Sequence, residues 1–293
     1  MEPTTNAAAE VATLCSELIR FDTSNFGPEG SVGEREATEY VAAKLDEVGI
    51  TSQLFESEPR RTSLVAEWAP EGCDRSLPPL LIHGHTDVVP AVAADWQVDP
   101  FAGEIVDDYV WGRGAVDMKD FDAIILAVVR QRQREGRPPR RPIRLVFAAD
   151  EEAGGAKGAG WLADHHPELI ADCTEAIGEV GGFSLTVNDQ RLYLIQTAEK
   201  GLAWLNLIAS GTAGHGSMRN SDNAITELAA AIARVGNYQW PVRIRPAQQQ
   251  FLDAIEDVLG VPVHAANAET TLAQLGSIAR VVGATMSNTA NPT

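Results

Sequence analysis

Two short apolar runs set the first constraint on the fold. Residues 79–83 (PLLIH) and 143–149 (IRLVFAA) are nearly continuous in apolar residues rather than alternating, the pattern of strands covered on both faces. Between them, 118–134 reads as a long helix with Ile124, Ile125, Val128 and Val129 on its apolar side. Helices are also expected at 5–20, with Val11, Leu14, Cys15, Leu18 and Ile19 on one face, and at 33–48, where Gly49 supplies a stop. Short strands are expected at 52–55, 63–68 and 175–178, and a helix at 159–165. Strands alternating with helices form a sheet between helical layers, an α/β fold.

The texture changes after about Thr197. Residues 201–210 (GLAWLNLIAS) and 275–282 read as strands, 223–235 and 247–259 as helices, together a smaller α+β domain. The expected organisation is therefore a first domain over 1–196 and a second over 197–293. A chain of 293 residues suits two domains at roughly 150 residues each.

Charge narrows the partners. There are 41 acidic and 23 basic residues, a formal charge of −18. Such a surface repels phosphate backbones, so nucleic acid is not an expected partner unless a local basic patch opposes it. The arginines between 130 and 144 are the one grouping of that kind, and they read as the solvated end of the 118–134 helix and the loop after it. The longest apolar run, 123–129, is too short to span a bilayer, and the N-terminus lacks the basic and apolar regions of a signal peptide. Cys15, Cys73 and Cys173 have neither metal nor disulfide spacing. A cytoplasmic protein without a membrane partner is expected.

Four clusters could hold metal or do chemistry. His83-Gly84-His85-Thr86-Asp87 follows the first apolar strand, where ligands gather in α/β sheets. Asp87 can bond one imidazole nitrogen of His85 and leave the other for a metal; the plain alternative is a turn histidine. Asp117 lies in WGRGAVDMKD before the long helix, where it could equally be an N-cap. Asp150-Glu151-Glu152 leaves the IRLVFAA strand; adjacent carboxylates repel one another and raise their pKa values unless a cation neutralises them. Glu179 follows the 175–178 strand in IGEVGG, where an ordinary turn is the alternative. Together His85, Asp117, Glu152 and Glu179 stand at successive strand ends, a mix of imidazole and carboxylate that suits zinc, cobalt or manganese.

In order, LLIHGHTDVVPA, WxxDPFxGEIxDDYVWGRGAVDMKD, ADEEAGG and GEVGGFS closely resemble the metallohydrolases that include aminoacylases, glutamate carboxypeptidases, acetylornithine deacetylase and succinyl-diaminopimelate desuccinylase. The resemblance runs from about residue 5 to 293. It implies a mixed-sheet, zinc-exopeptidase-like catalytic domain of the α/β class with an inserted α+β lid and dimerisation domain. It implies two divalent metal ions, Zn2+ first and Co2+ or Mn2+ as alternatives. Asp117 would bridge them, His85 and Glu179 would complete one site, and Glu152 would serve the other. Glu151 would be the general base acting on a metal-bound water, with Asp87 behind His85. His215, in Gly214-His215-Gly216-Ser217, would reach the partner subunit's active site across a homodimer formed through the lid; a turn histidine is the plain alternative. The implied reaction is hydrolysis of an amide bond, either deacylation of an N-acyl amino acid or exopeptidase cleavage of a short peptide.

The chain departs from the family pattern in two places. Asp120 stands where the family usually has glycine, at the first turn of a helix whose dipole suits an acid. The family pattern also continues past Thr293, with an Asn and an Arg for the substrate carboxylate, further strands and helices, and a last metal-binding His. The chain is accordingly expected to be truncated within the lid. A second reading follows from that: a fragment that binds one metal, dimerises, or both, without turnover.

Overall fold

The computed structural model describes residues 6–27, 30–180, 184–203, 205–264, 267–276 and 278–292. Thr5, Gly181, Gly182, Phe183, Trp204, Ser277 and Thr293, each part of an expected feature, lie outside the described residues. Two compact units divide the chain at Glu179/Val180.

In the first unit, α1 (Ala7–Ile19) starts at Asn6, whose side chain accepts the Ala9 N–H at 2.8 Å as an N-cap. It buries Leu14, Cys15, Leu18 and Ile19. Next, α2 (Arg35–Asp46) buries Ala37, Thr38, Val41 and Leu45, and the chain leaves it through Gly49 in the left-handed region at φ 75°. There follow β1 (Ser52–Glu58), β2 (Arg61–Trp68), β3 (Leu80–His85), β4 (Glu104–Val106), β5 (Tyr109–Trp111), α3 (Lys119–Arg134), β6 (Ile143–Ala148), α4 (Ala159–His165) and β7 (Glu175–Ile177).

Among the described residues, five of these strands form one sheet in the order β1-β2-β6-β3-β7. The β1–β2 and β2–β6 pairs are antiparallel, whereas β3 runs parallel to both β6 and β7, giving a mixed sheet. Leu80 lies opposite Ile143 and His85 opposite Ala148, so β3 and β6 end level at one edge of the sheet.

Packing explains the apolar run of β6 fully and that of β3 in part, since Leu80, Leu81 and Ile82 are half-buried and His83 is exposed. On one face, Leu64, Ala66 and Trp68 of β2 and Leu145 and Phe147 of β6 meet Leu14, Leu18, Val41, Leu45, Leu126 and Val129 from α1, α2 and α3. On the other, Val65, Val146 and Ala148 meet Leu162 of α4. Every residue of β6 is therefore buried, which is why its sequence does not alternate.

The outward side of α3 differs from expectation. Ile124 and Val128 are exposed at 45% and 44%, while Ala123, Leu126 and Val129 are buried. Residues 123–129 are all apolar, and a continuous run carries no phase to say which face turns inward.

Phe147 is fully buried between the two layers. Phe147→Ala is expected to lower the unfolding free energy by about 3–5 kcal/mol, the usual cost of emptying an aromatic site in a core. Denaturant unfolding reads this directly, and a loss under about 1 kcal/mol would place the core elsewhere.

The second unit begins with a hairpin, β8 (Ser184–Val187) and β9 (Gln190–Tyr193), turned at Asn188 and Asp189 with φ of 48° and 61°. Among the described residues, four α-helices follow: α5 (Ala224–Gly236), α6 (Pro246–Leu259), α7 (Ala268–Leu272) and α8 (Ile278–Thr285). The Asn223 side chain caps α5 by accepting from Thr226 N–H at 3.1 Å. The proline at the start of α6 and Gly260 just past its end follow the usual asymmetry of helix termini. Val187, Leu252, Ile255, Val263, Leu272, Leu275 and Met286 form this unit's core, with Leu185 and Leu192 of the hairpin packed against it. That packing places the hairpin in the second unit, whereas the sequence reading put the division at 196/197.

Among the described residues, two expected strands are absent. Residues 201–203 and 205–210 have no regular structure, and Leu202, Leu205 and Ile208 are at least 75% exposed. A strand exists through its neighbours, and among the described residues none pairs with this segment. The segment 278–285 is helical rather than extended. Ala279 and Val282, three residues apart as on one helix face, join the core from this helix, and Leu275 and Met286 join it from either side. Among the described residues, no helix is long and apolar enough to cross a membrane.

Candidate metal centre

The level ends of β3 and β6 bring the first and third clusters together. His85 is the last residue of β3 itself, because the ladder with β6 continues to Ala148, and it is 2% exposed. Two residues past β6, the chain enters the short 3-10 turn Glu151–Ala153 from Asp150, which has a left-handed backbone at φ 67°. Glu179 follows β7, and Asp117 precedes α3.

His85 Nε2 lies 3.1 Å from Asp117 Oδ1, 3.6 Å from Glu151 Oε2 and 3.8 Å from Glu179 Oε2. Donor atoms of His85, Asp117 and Glu179 all fall within 4.8 Å of one another. A buried imidazole thus faces carboxylates that are open to solvent: the Asp117 and Glu151 side chains are 57% and 56% exposed. Glu152 stands beside them with its Oε1 accepting from Val89 N–H at 3.3 Å.

The other side of the imidazole is held by Asp87. His85 Nδ1 lies 2.9 Å from the Asp87 backbone carbonyl and 3.5 Å from its carboxylate. An N–H at Nδ1 would leave Nε2 as the free lone pair, the form a metal takes. The buried Asp87 carboxylate also accepts from the backbone N–H groups of Glu151 at 3.1 Å and Glu152 at 3.2 Å, and from Asn25 Nδ2 at 2.8 Å.

The electrostatics carry the mark of crowded anions. Burial raises the Glu152 carboxyl to about 7, and Asp117, Asp87 and Glu151 push it the same way against His85. Burial and the Asp117 charge likewise raise Glu179. Burial alone would lower His85, but its bond to Asp87 and the charges of Asp87, Asp122 and Glu151 outweigh that and raise it to about 10. Without a cation such crowding favours the protonated form of each carboxyl. A divalent ion would replace that need, and one imidazole nitrogen with carboxylate oxygens is a donor set that zinc, cobalt or manganese accepts. The residues present therefore fit such an ion.

His215 belongs to the second unit, where its exposed ring is bonded to Ser217 Oγ at 2.8 Å. Several residues around the centre were not singled out from sequence. Arg61, at the start of β2, is buried between Glu34, at 2.7 Å, and Asp150. Lys119 is buried with Nζ donating to the Phe21 carbonyl at 2.7 Å, and burial lowers it to about 8. Asp122, buried beneath Gly84, is raised well above the ordinary carboxylate range by desolvation. A lysine and two acids in MKDFD, flanking an apolar helix run, were the available signal for the last two.

Comparison with known proteins places this geometry. Residues 81–286 match the description peptidase family M20/M25/M40. The chain is 30% identical over 233 residues to N-fatty-acyl-amino acid synthase/hydrolase PM20D1 of Xenopus tropicalis, covering 76% of this chain and 44% of that protein. It is 29% identical to aminoacylase-1 of Sus scrofa, covering 94% of this chain and 63% of that one. It thus spans about half the length of these relatives. Among solved structures, the M20 family metallo-carboxypeptidase Sso-CP2 from Sulfolobus solfataricus shares the fold with a TM-score of 0.56 at 15% identity, over 94% of this chain and 62% of that one. Human carnosine dipeptidase 1 does so with a TM-score of 0.51 at 18% identity, over 61% and 40%. The sheet, the cluster at its edge and the extent of the sequence match agree: the chain belongs to the M20/M25/M40 peptidase family.

Proposed function

We propose that this chain carries the metal-binding part of a hydrolase that cleaves amide bonds, on N-acyl amino acids or short peptides. The convergence of His85, Asp117 and Glu179 beside Glu151 carries the reading. The names of relatives that act on N-acyl amino acids and dipeptides support the substrate class.

In this reading Asp117 would serve two divalent ions, His85 and Glu179 would complete one site, and Glu152 would belong to the other. Zn2+ heads the choice, with Co2+ and Mn2+ as alternatives. Bound ions supply Lewis acidity that acidifies water and polarises a carbonyl. The protein's own residues do the rest. His85, backed by Asp87, presents a fixed nitrogen. Glu151 stands on the solvent side, 3.6 Å from His85 Nε2, where its carboxylate can take a proton from the attacking water. As the C–N bond breaks, the same oxygen returns that proton to the leaving amine, so Glu151 ends as it began. The second unit serves as lid and dimer surface, with His215 contributing to the partner's site. The three free cysteines suit a cytoplasmic location.

One observation favours the narrower reading of one bound ion. The close donor group contains His85, Asp117 and Glu179, while Glu152 is engaged by Val89 N–H. Metal content per chain separates the two readings. After reconstitution with Zn2+ or Co2+, one to two ions per chain are expected, with hydrolysis of at least one member of a panel of N-acetyl amino acids and dipeptides. Uptake of one ion without turnover would favour the silent, single-ion form, and no uptake at all would overturn the metal centre.

A further inference from the structure

Beside the centre lies a buried polar chain that the proposed chemistry does not use. Residues 23–25 run alongside the loop that carries Asp87. Asn25 N–H donates to the Val88 carbonyl at 2.9 Å, Val88 N–H to the Thr23 carbonyl at 3.2 Å, and Thr23 Oγ1 to the Thr86 carbonyl at 2.6 Å. Asn25 is 5% exposed. Its amide oxygen accepts from Gly27 N–H at 3.0 Å, which fixes the orientation of the amide. Its Nδ2 then donates to Asp87 Oδ2 at 2.8 Å and to Asp150 Oδ1 at 3.3 Å.

Both acceptors control the same short segment. Asp87 holds the backbone N–H groups of Glu151 and Glu152. Asp150 immediately precedes them, and its other oxygen accepts from Lys157 N–H at 2.8 Å. One amide therefore ties the loop behind His85 to the turn that carries the two glutamates.

We propose that Asn25 is a positioning residue: by joining Asp87 to Asp150 it sets where the Glu151 and Glu152 side chains leave the backbone. The assignment rests on the proposed reading in which Glu151 is the base and Glu152 a ligand. Partners of this kind behind metal ligands change affinity or activity by roughly 10–100-fold when removed.

Asn25→Leu keeps the side-chain size and removes both donors. The expected result is Co2+ affinity lowered by roughly 10–100-fold, with turnover falling through kcat more than KM. Hydrogen exchange at the Glu151 and Glu152 amides should quicken about tenfold, as one weakened hydrogen bond would give, while amides of β6 keep their wild-type rates. A role confined to overall stability would lower the melting temperature without singling out those two amides. Should Asn25→Leu fail to fold, Asn25→Ser, too short to reach both acids, carries the same test. Wild-type Co2+ affinity and wild-type exchange at Glu151 and Glu152 would overturn the proposal. If the unmutated chain takes up no Co2+, the metal-centre reading fails by itself, and exchange at the two amides alone decides the role of Asn25.

Discussion

Glu151→Gln is expected to lower turnover by about 10²–10⁴-fold, the usual contribution of a positioned general base, while leaving metal uptake unchanged. The substitution keeps the shape of the side chain and removes its ability to take a proton. The backbone of residue 151 keeps its place, because it is the N–H of Glu151 that donates to Asp87 Oδ1. The close donor group is His85, Asp117 and Glu179, none of which changes. The pairing of normal metal content with lost kcat is what distinguishes a base from a ligand. Glu179→Gln should instead lower metal content and lose turnover along with it, since it replaces a charged oxygen of that group with a neutral amide oxygen. If Glu151→Gln turned over at the wild-type rate, another residue would have to move the proton.

Arg61→Met is expected to destabilise the fold as much as emptying the Phe147 site does. The guanidinium is 7% exposed and lies between Glu34 and Asp150, whose side chains are 0% and 5% exposed. Removing one partner of a buried pair leaves uncompensated charge, at a cost of about 3–5 kcal/mol. The exposed Arg35, paired with Glu39 and Glu56 at 2.8 Å, is a built-in comparison, and Arg35→Ala should cost no more than about 1 kcal/mol.

The Arg61 loss should depend on pH in a known direction. Burial raises Glu34 to about 7 even with Arg61 pulling it down. The folded chain therefore binds this proton more tightly than the unfolded chain does, so its contribution to stability is present at low pH and falls as pH rises through about 7. Without Arg61 that fall deepens, and the deficit of Arg61→Met should be larger at pH 8 than at pH 5. Replacing Glu34 as well, in Arg61→Met/Glu34→Met, should recover part of it. Urea unfolding at the two pH values checks all three statements, and a deficit matching that of Arg35→Ala would remove the buried network from the account of stability.

The sheet and the main cluster were legible because their signals are local. A continuous apolar run announces a strand, buried throughout in β6 and half-buried over Leu80–Ile82 in β3, and a histidine or acid at the end of a strand pattern announces where the strand stops, as His85 and Glu179 do. What escaped depends on partners far away in sequence. Asn25 looks like a turn residue and Arg61 like a strand-start charge until β2 and β6 are neighbours and Asp150 emerges between them. The orientation of α3 was hidden because its middle is uniformly apolar. The helix at Ile278–Thr285 was legible in principle, through the spacing of Ala279 and Val282, but its β-branched residues spoke for a strand. Residues 201–210 have the composition of a strand and no neighbour to pair with among the described residues.

His85, Asp117 and Glu179 come from three separate stretches of the chain, and only the folded sheet gathers them. A denatured chain offers a cation these donors one at a time. Any ion that binds the set therefore works as a thermodynamic weight on the native side of the folding equilibrium. At free ion a hundredfold above its dissociation constant, that weight is about 2.7 kcal/mol. Metal supply would then govern how long each copy of the protein survives proteolysis, quite apart from what the ion does to a substrate.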